Sequence, residues 1–111
     1  MKPGLTTGEQ EALRRFKDEV QRLLGDSLLS LRLFGSRARG EGTAESDLDV
    51  LIVLREKDRS LCRRIVEAAL DVDLAYGVNL APTILTEEEY KRNRDYRTPF
   101  YASVEREGVP L

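Results

Sequence analysis

The chain has 111 residues, with 18 Lys and Arg against 20 Asp and Glu, one cysteine and no histidine. That length matches the commonest size of one folded unit and is enough for a core without cross-links. A lone cysteine, Cys62, excludes an internal disulfide and suits a reducing compartment. Without histidine, Ser-His-Asp hydrolysis and histidine-based zinc sites are poor fits. A net charge of −2 is too balanced for nucleic-acid binding by bulk attraction, so direct binding of nucleic acid is disfavoured. No apolar run reaches the ~18 residues that span a bilayer, and Met1–Gly8 carries no apolar leader. The expectation is a cytoplasmic protein with no membrane partner.

Thr6 with Glu9, or Thr7 with Gln10, forms a capping-box pattern at the start of a helix. Leu13, Phe16, Val20, Leu23 and Leu24 then follow helical spacing as far as Gly25. Leu28–Phe34 is short and apolar with Ser30 and Arg32 alternating, which predicts a strand. Gly35–Ser46 is loop with room for a short helical turn. Asp47–Leu54 is a second strand, apolar on both faces from Leu48 onward except at Asp49, as in a central, covered strand.

Asp58 or Ser60 caps a second helix whose inward stripe is Leu61, Ile65, Ala68, Ala69 and Val72, with Gly77 as its stop. Val78–Leu85 reads as a third strand, assigned to a sheet edge by Pro82. Thr86 and Glu89 form another capping box, and Thr98-Pro99 opens a last helix that reaches Gly108. The order predicts an α/β (α+β) fold, a small mixed sheet covered by helices.

Chemistry concentrates around the second strand. Asp47 and Asp49 lie two apart, so on a strand both carboxylates share a face. Two such charges about 6 Å apart repel by roughly 3 kcal/mol at an effective dielectric of about 20. A divalent cation offsets that cost, and hard carboxylate oxygens suit Mg²⁺. Gly35-Ser36, where the first strand ends, suits a phosphate: glycine lets backbone approach closely, and successive N–H groups in a tight turn form an anion pocket. Arg37 and Arg39 beside it can grip phosphate oxygens, or pair with Glu41 or Glu45. Together these features predict phosphoryl or nucleotidyl transfer.

Gly35-Ser36, ten intervening residues and Asp47-Leu48-Asp49 resemble the signature of the DNA polymerase beta-like nucleotidyltransferase superfamily. The fuller string GSRARGEGTAESDLDVLIV is similar to its minimal nucleotidyltransferase branch, small proteins often encoded beside HEPN-domain partners. Length and element order also fit, so the resemblance implies a single minimal nucleotidyltransferase domain over residues 1–111. It implies that Gly35 and Ser36 hold the β- and γ-phosphates of ATP or another nucleoside triphosphate. Asp47 and Asp49 would bind one or two Mg²⁺ while a hydroxyl attacks the α-phosphorus. The family carries a third carboxylate on the next strand, where this chain has Asn79; Asp73 replaces it if that strand starts earlier, although the apolar stripe favours helix there.

Three functions follow as expectations. The first is transfer of AMP from ATP to an acceptor hydroxyl on a partner, by resemblance a HEPN toxin, which makes this chain an antitoxin. The second is a weak or inactive module that binds nucleotide or neutralises the partner by contact. The third, RNA binding through Lys91, Arg92, Arg94 and Arg97, competes with a plain solvated face. Tyr76, Tyr90, Tyr96 and Tyr101 read as packing residues and Cys62 as a small apolar one. A homo- or hetero-oligomer is expected from family habit.

Overall fold

The first helix starts where its capping box predicts. The Thr6 hydroxyl accepts from the Glu9 N–H at 3.1 Å while the Glu9 carboxylate accepts from the Thr6 N–H at 2.9 Å, and α1 spans Thr7–Leu24. The computed structural model describes residues 4–43 and 45–111. Met1–Pro3, part of the segment read as lacking a leader, and Ala44, within the predicted loop, lie outside the described residues.

After a short 3-10 turn, Gly25–Ser27, strand β1 spans Leu28–Phe34 and pairs antiparallel with β2, Leu48–Leu54. A bulge between Leu28 and Ser30 breaks the alternation, so that Leu28 packs on the same face as Leu31 and Leu33 and Leu29 on the other. Helix α2, Arg59–Tyr76, opens on the Asp58 side chain, which accepts from Leu61 N–H, and stops at Gly77 in a left-handed conformation. It crosses to β3, Leu80–Thr86, which lies parallel to β2. Helices α3, Glu87–Asp95, and α4, Pro99–Glu107, follow, and β4, Val109–Pro110, pairs with β1. The strand order is β3-β2-β1-β4. The sheet is mixed, β2 is interior, and Pro82 sits on an edge strand as expected.

Three strand bounds differ from the sequence pattern, and one strand has no counterpart in it. β2 starts at Leu48 rather than Asp47, and β3 ends at Thr86 rather than Leu85. β3 starts at Leu80 rather than Val78, because the chain leaving the Gly77 cap uses Val78 and Asn79 to reach the sheet. The two-residue β4 has no periodicity and so left no strand signal.

Each face of the sheet has its own core. Leu48, Val50, Ile52 and Leu54 join Leu31 and Leu33 against Phe16 and Val20 of α1 and Ile65 and Val72 of α2. Leu51 and Val53 point the other way, towards Val104 and Phe100 of α4 and Tyr90 of α3. This double burial explains the apolar run of β2, broken only at Asp49, each large apolar side chain stabilising the fold by about 1.5–3 kcal/mol. Asp49 occupies a position of that run without such a benefit.

Candidate active site

The end of the sheet where β1 stops and β2 and β3 begin gathers the residues of interest. Phe34 lies opposite Asp49, and Asp49 opposite Ala81. Those three residues therefore share the α3/α4 face, while Asp47 stands one residue before β2, near enough for its charge to act on Asp49. Continuing the parallel register by one residue sets Asn79 beside Asp47, and the Asn79 carbonyl accepts from Leu48 N–H at 2.8 Å. Asp47 is exposed and Asp49 half-buried. Burial first, and then the neighbouring Asp47 charge, push the Asp49 carboxyl above the usual carboxylate range.

Gly35 lies directly over Asp49. Its φ is +79°, a conformation open to glycine, and a Cβ built there would collide with Asp49 Oδ2 and sit 3.3 Å from Asp49 Cγ. The chain then makes the short helical turn expected of the loop, the Gly35 carbonyl accepting from Ala38 N–H at 3.1 Å and Arg39 N–H at 3.3 Å. The amides of Ser36 and Arg37 precede the first donors of that turn and so have no role in its ladder. Gly42 returns close above it, its hypothetical Cβ only 3.0 Å from Ser36 Oγ and 2.9 Å from Ser46 Oγ.

The two arginines do not both face the phosphate side. Arg37 is 5% exposed, and its Nη2 donates to Glu9 Oε1 at 2.6 Å, tying the loop to the start of α1. The expected grip of Arg37 on a phosphate is thus replaced by an internal ion pair in this conformation, with its Nη1 buried and without a partner among the described residues. Arg39 goes the other way, donating to Glu107 of α4 at 2.9 Å and to Glu41 at 3.2 Å. Its pairing with Glu41 was one of the readings the sequence left open; Glu107 was not among them. The loop between β1 and β2 is therefore held from both sides of the sheet.

Asp73 remains on α2, as the apolar stripe predicts, yet its carboxylate reaches the same corner. It accepts from Leu80 N–H at 2.8 Å. Burial raises its pKa, the Leu80 bond opposes that, and the Asp47 charge raises it further. A carboxylate in the last turn of a helix works against the helix dipole, and that misfit was the available sequence signal.

Neither Asp47 nor Asp49 has a cationic partner among the described residues. Adjacent, unpaired carboxylates supply the hard oxygen donors that Mg²⁺ takes, commonly one or two together with waters and substrate phosphates. The described residues hold no group of three or more acidic, His or Cys side chains placed for a metal. An ion on this pair would therefore complete its shell with water and substrate oxygens, which fits the donor set.

Sheet topology, glycine turn and acidic pair define a nucleotidyltransferase fold. Residues 13–106 match the nucleotidyltransferase domain family, and the chain belongs to that family. A candidate protein adenylyltransferase of Methanocaldococcus jannaschii, MJ0141, is 35% identical over 105 residues, covering 91% of this chain and 96% of that protein. A solved structure described as a candidate minimal nucleotidyltransferase superposes with a TM-score of 0.62 at 25% identity, over 97% of this chain and 99% of that one. Within the family, the chain is thus of the minimal nucleotidyltransferase kind. A crystal structure of the toxin–antitoxin MntA–HpeT shares the fold, with a TM-score of 0.52 and 14% identity over 84% of this chain and 67% of that one.

Proposed function

We propose that the chain is a single nucleotidyltransferase unit that transfers AMP from ATP to a hydroxyl on a partner protein in a reducing cytoplasm. The observation that carries this reading is the seating of Gly35 against the Asp49 carboxylate, which puts the glycine turn and the acidic pair on one small surface. The names of the relatives support the acceptor class: a protein adenylyltransferase in one case and a toxin–antitoxin pair in another. By family resemblance the partner is a HEPN toxin, and this chain its antitoxin.

In the proposed reaction the free amides at Ser36 and Arg37 and the Ser36 hydroxyl hold the β- and γ-phosphates. Arg39, paired with Glu107 and Glu41, is assigned to holding the loop against α4. Arg37 is assigned to positioning, because its guanidinium fixes the turn to α1. Asp47 and Asp49 hold Mg²⁺, which when bound neutralises charge on the triphosphate and acidifies the attacking hydroxyl. The acceptor oxygen bonds to the α-phosphorus, the bond from that phosphorus to the β-phosphate oxygen breaks, and pyrophosphate leaves. The hydroxyl proton passes to the acidic pair or to water.

One observation favours a second reading, a nucleotide-binding module that neutralises its partner by contact alone. Asn79, beside Asp47, adds no charge and takes no proton, so the pair works without a third acid from β3. ATP labelled at the α- or the γ-phosphate, incubated with Mg²⁺ and the product of the neighbouring gene, separates the two. Label retained on the partner from the α- but not the γ-position, and lost with Asp47→Asn, supports transfer. A tight but unlabelled complex supports the module.

A further inference from the structure

Two charged side chains are buried among the described residues, Glu9 and Arg37, at 6% and 5% exposure, and they are paired with each other. The pair is incomplete. Arg37 Nη1 has no hydrogen-bond partner, and Glu9 is the one acid paired with the guanidinium among the described residues. A buried ion pair contributes little stability beyond what two well-packed apolar side chains give, and a buried donor left unpaired costs free energy. Core packing therefore does not account for this pair. What it supplies, and an apolar pair does not, is one fixed geometry, set by a planar guanidinium on an oriented carboxylate.

That geometry acts on the glycine turn. The Glu9 carboxylate is oriented from its own helix, since Oε1 accepts from Thr6 N–H at 2.9 Å as well as from Arg37 Nη2 at 2.6 Å. Arg37 passes beneath the loop to reach it: a Cβ built on Gly42 would lie 3.3 Å from Arg37 Cδ and 3.0 Å from Ser36 Oγ. The Ser36 carbonyl accepts from Glu41 N–H at 2.9 Å, and across a trans peptide the Arg37 N–H points the opposite way, out of that bond. Backbone amide and anchored side chain thus belong to one residue. On the reading of this turn as the seat of the β- and γ-phosphates, we propose that Glu9 of α1 is a positioning residue for the triphosphate. Through Arg37 it holds the Ser36 and Arg37 amides in the orientation that receives phosphate oxygens. Linkage makes the effect mutual, so a triphosphate on the turn also steadies the first turn of α1. The opposite arrangement, with Glu9 restraining an Arg37 that would otherwise grip phosphate itself, predicts the opposite sign.

Calorimetric titration of ATP in the presence of Mg²⁺ decides between them. Glu9→Gln is expected to weaken ATP binding by about tenfold or more, within the ordinary range of such couplings. Glu9→Leu with Arg37→Met, which keeps a melting temperature near that of the unmodified chain, is expected to bind ATP no better than Glu9→Gln. A pair that serves stability alone predicts instead that this double variant binds ATP like the unmodified chain. Where Glu9→Gln is too unstable to titrate, the double variant decides alone. Hydrogen exchange supplies the second readout: ATP with Mg²⁺ slows exchange of the Thr6 and Glu9 amides in the unmodified chain and not in the double variant. Tighter ATP binding by Glu9→Gln, full binding by the double variant, or amides of α1 indifferent to ATP overturns the proposal. Each of those results leaves the phosphate seat in place, because the unmodified chain still binds ATP. An unmodified chain that binds no ATP overturns the seat and this proposal together.

Discussion

The α-carbon of Gly35 is packed against the carboxylate of Asp49, with no room for a single methyl group between them. Residues fourteen positions apart in the chain thus meet because β1 and β2 pair antiparallel with Phe34 opposite Asp49. Gly35→Ala is expected to leave the fold intact, at a cost of about 1–2 kcal/mol for a side chain held at positive φ. It should displace Asp49 and lower nucleotide transfer at least a hundredfold. Thermal melting and label transfer, measured on the same preparation, check both parts.

Asp49 itself is expected to trade stability for function. Its pKa is raised in the fold by burial and by Asp47. A raised carboxyl pKa favours folding fully only below the unfolded value, and that contribution is lost as pH rises through the folded one. At neutral pH the ionised side chain is therefore a burden. Asp49→Asn should raise the melting temperature by a few degrees in metal-free buffer while abolishing transfer. Added Mg²⁺ should stabilise the unmodified chain and leave Asp49→Asn almost unchanged.

The Glu9–Arg37 pair makes the opposite pH statement. Burial alone would raise the Glu9 pKa, but the Arg37 hydrogen bond and charge and the Thr6 amide outweigh it, and the net shift is downward. A depressed carboxyl pKa contributes stability above the ordinary carboxylate range, near pH 4.5, and loses it as pH falls through the folded value. Glu9→Gln should cost roughly 3 kcal/mol at neutral pH by stranding a buried guanidinium. It should also flatten the acid limb of the stability curve. Urea melts between pH 3 and 7 measure both effects, and Glu9→Leu with Arg37→Met should recover much of the loss.

These pairings mark the limit of what the sequence made legible. The Thr6–Glu9 box, the Asp58 cap and the Gly77 stop are local, so residue type and spacing sufficed. Asp47 and Asp49 stood out because two acids opening an otherwise apolar strand are unfavourable without a compensating role. Arg37 and Arg39 could not be assigned in the same way. Their partners lie 28 and 68 residues away, and closing such distances depends on how α1 and α4 pack on opposite faces of the sheet. Asp73 was visible as an acid at a helix end, but its bond to Leu80 N–H exists only after α2 has crossed to β3.

Asn79→Asp offers a gain-of-function test. Beside Asp47, a third carboxylate should lower stability in metal-free buffer through added repulsion, and raise the rate of transfer where Mg²⁺ is present. Steady-state rates for this variant and for Asn79→Ala separate an active-site position from a mere turn, since a turn residue would slow both variants or neither.

The most direct measurement of the central claim is calorimetric titration of ATP into the chain with and without Mg²⁺. Binding is expected only when Mg²⁺ is present, at one site per chain, and is lost in Asp47→Asn and in Asp49→Asn. ATP affinity that ignores both the ion and these substitutions, or no affinity under any of these conditions, would contradict a triphosphate held between the glycine turn and the acidic pair.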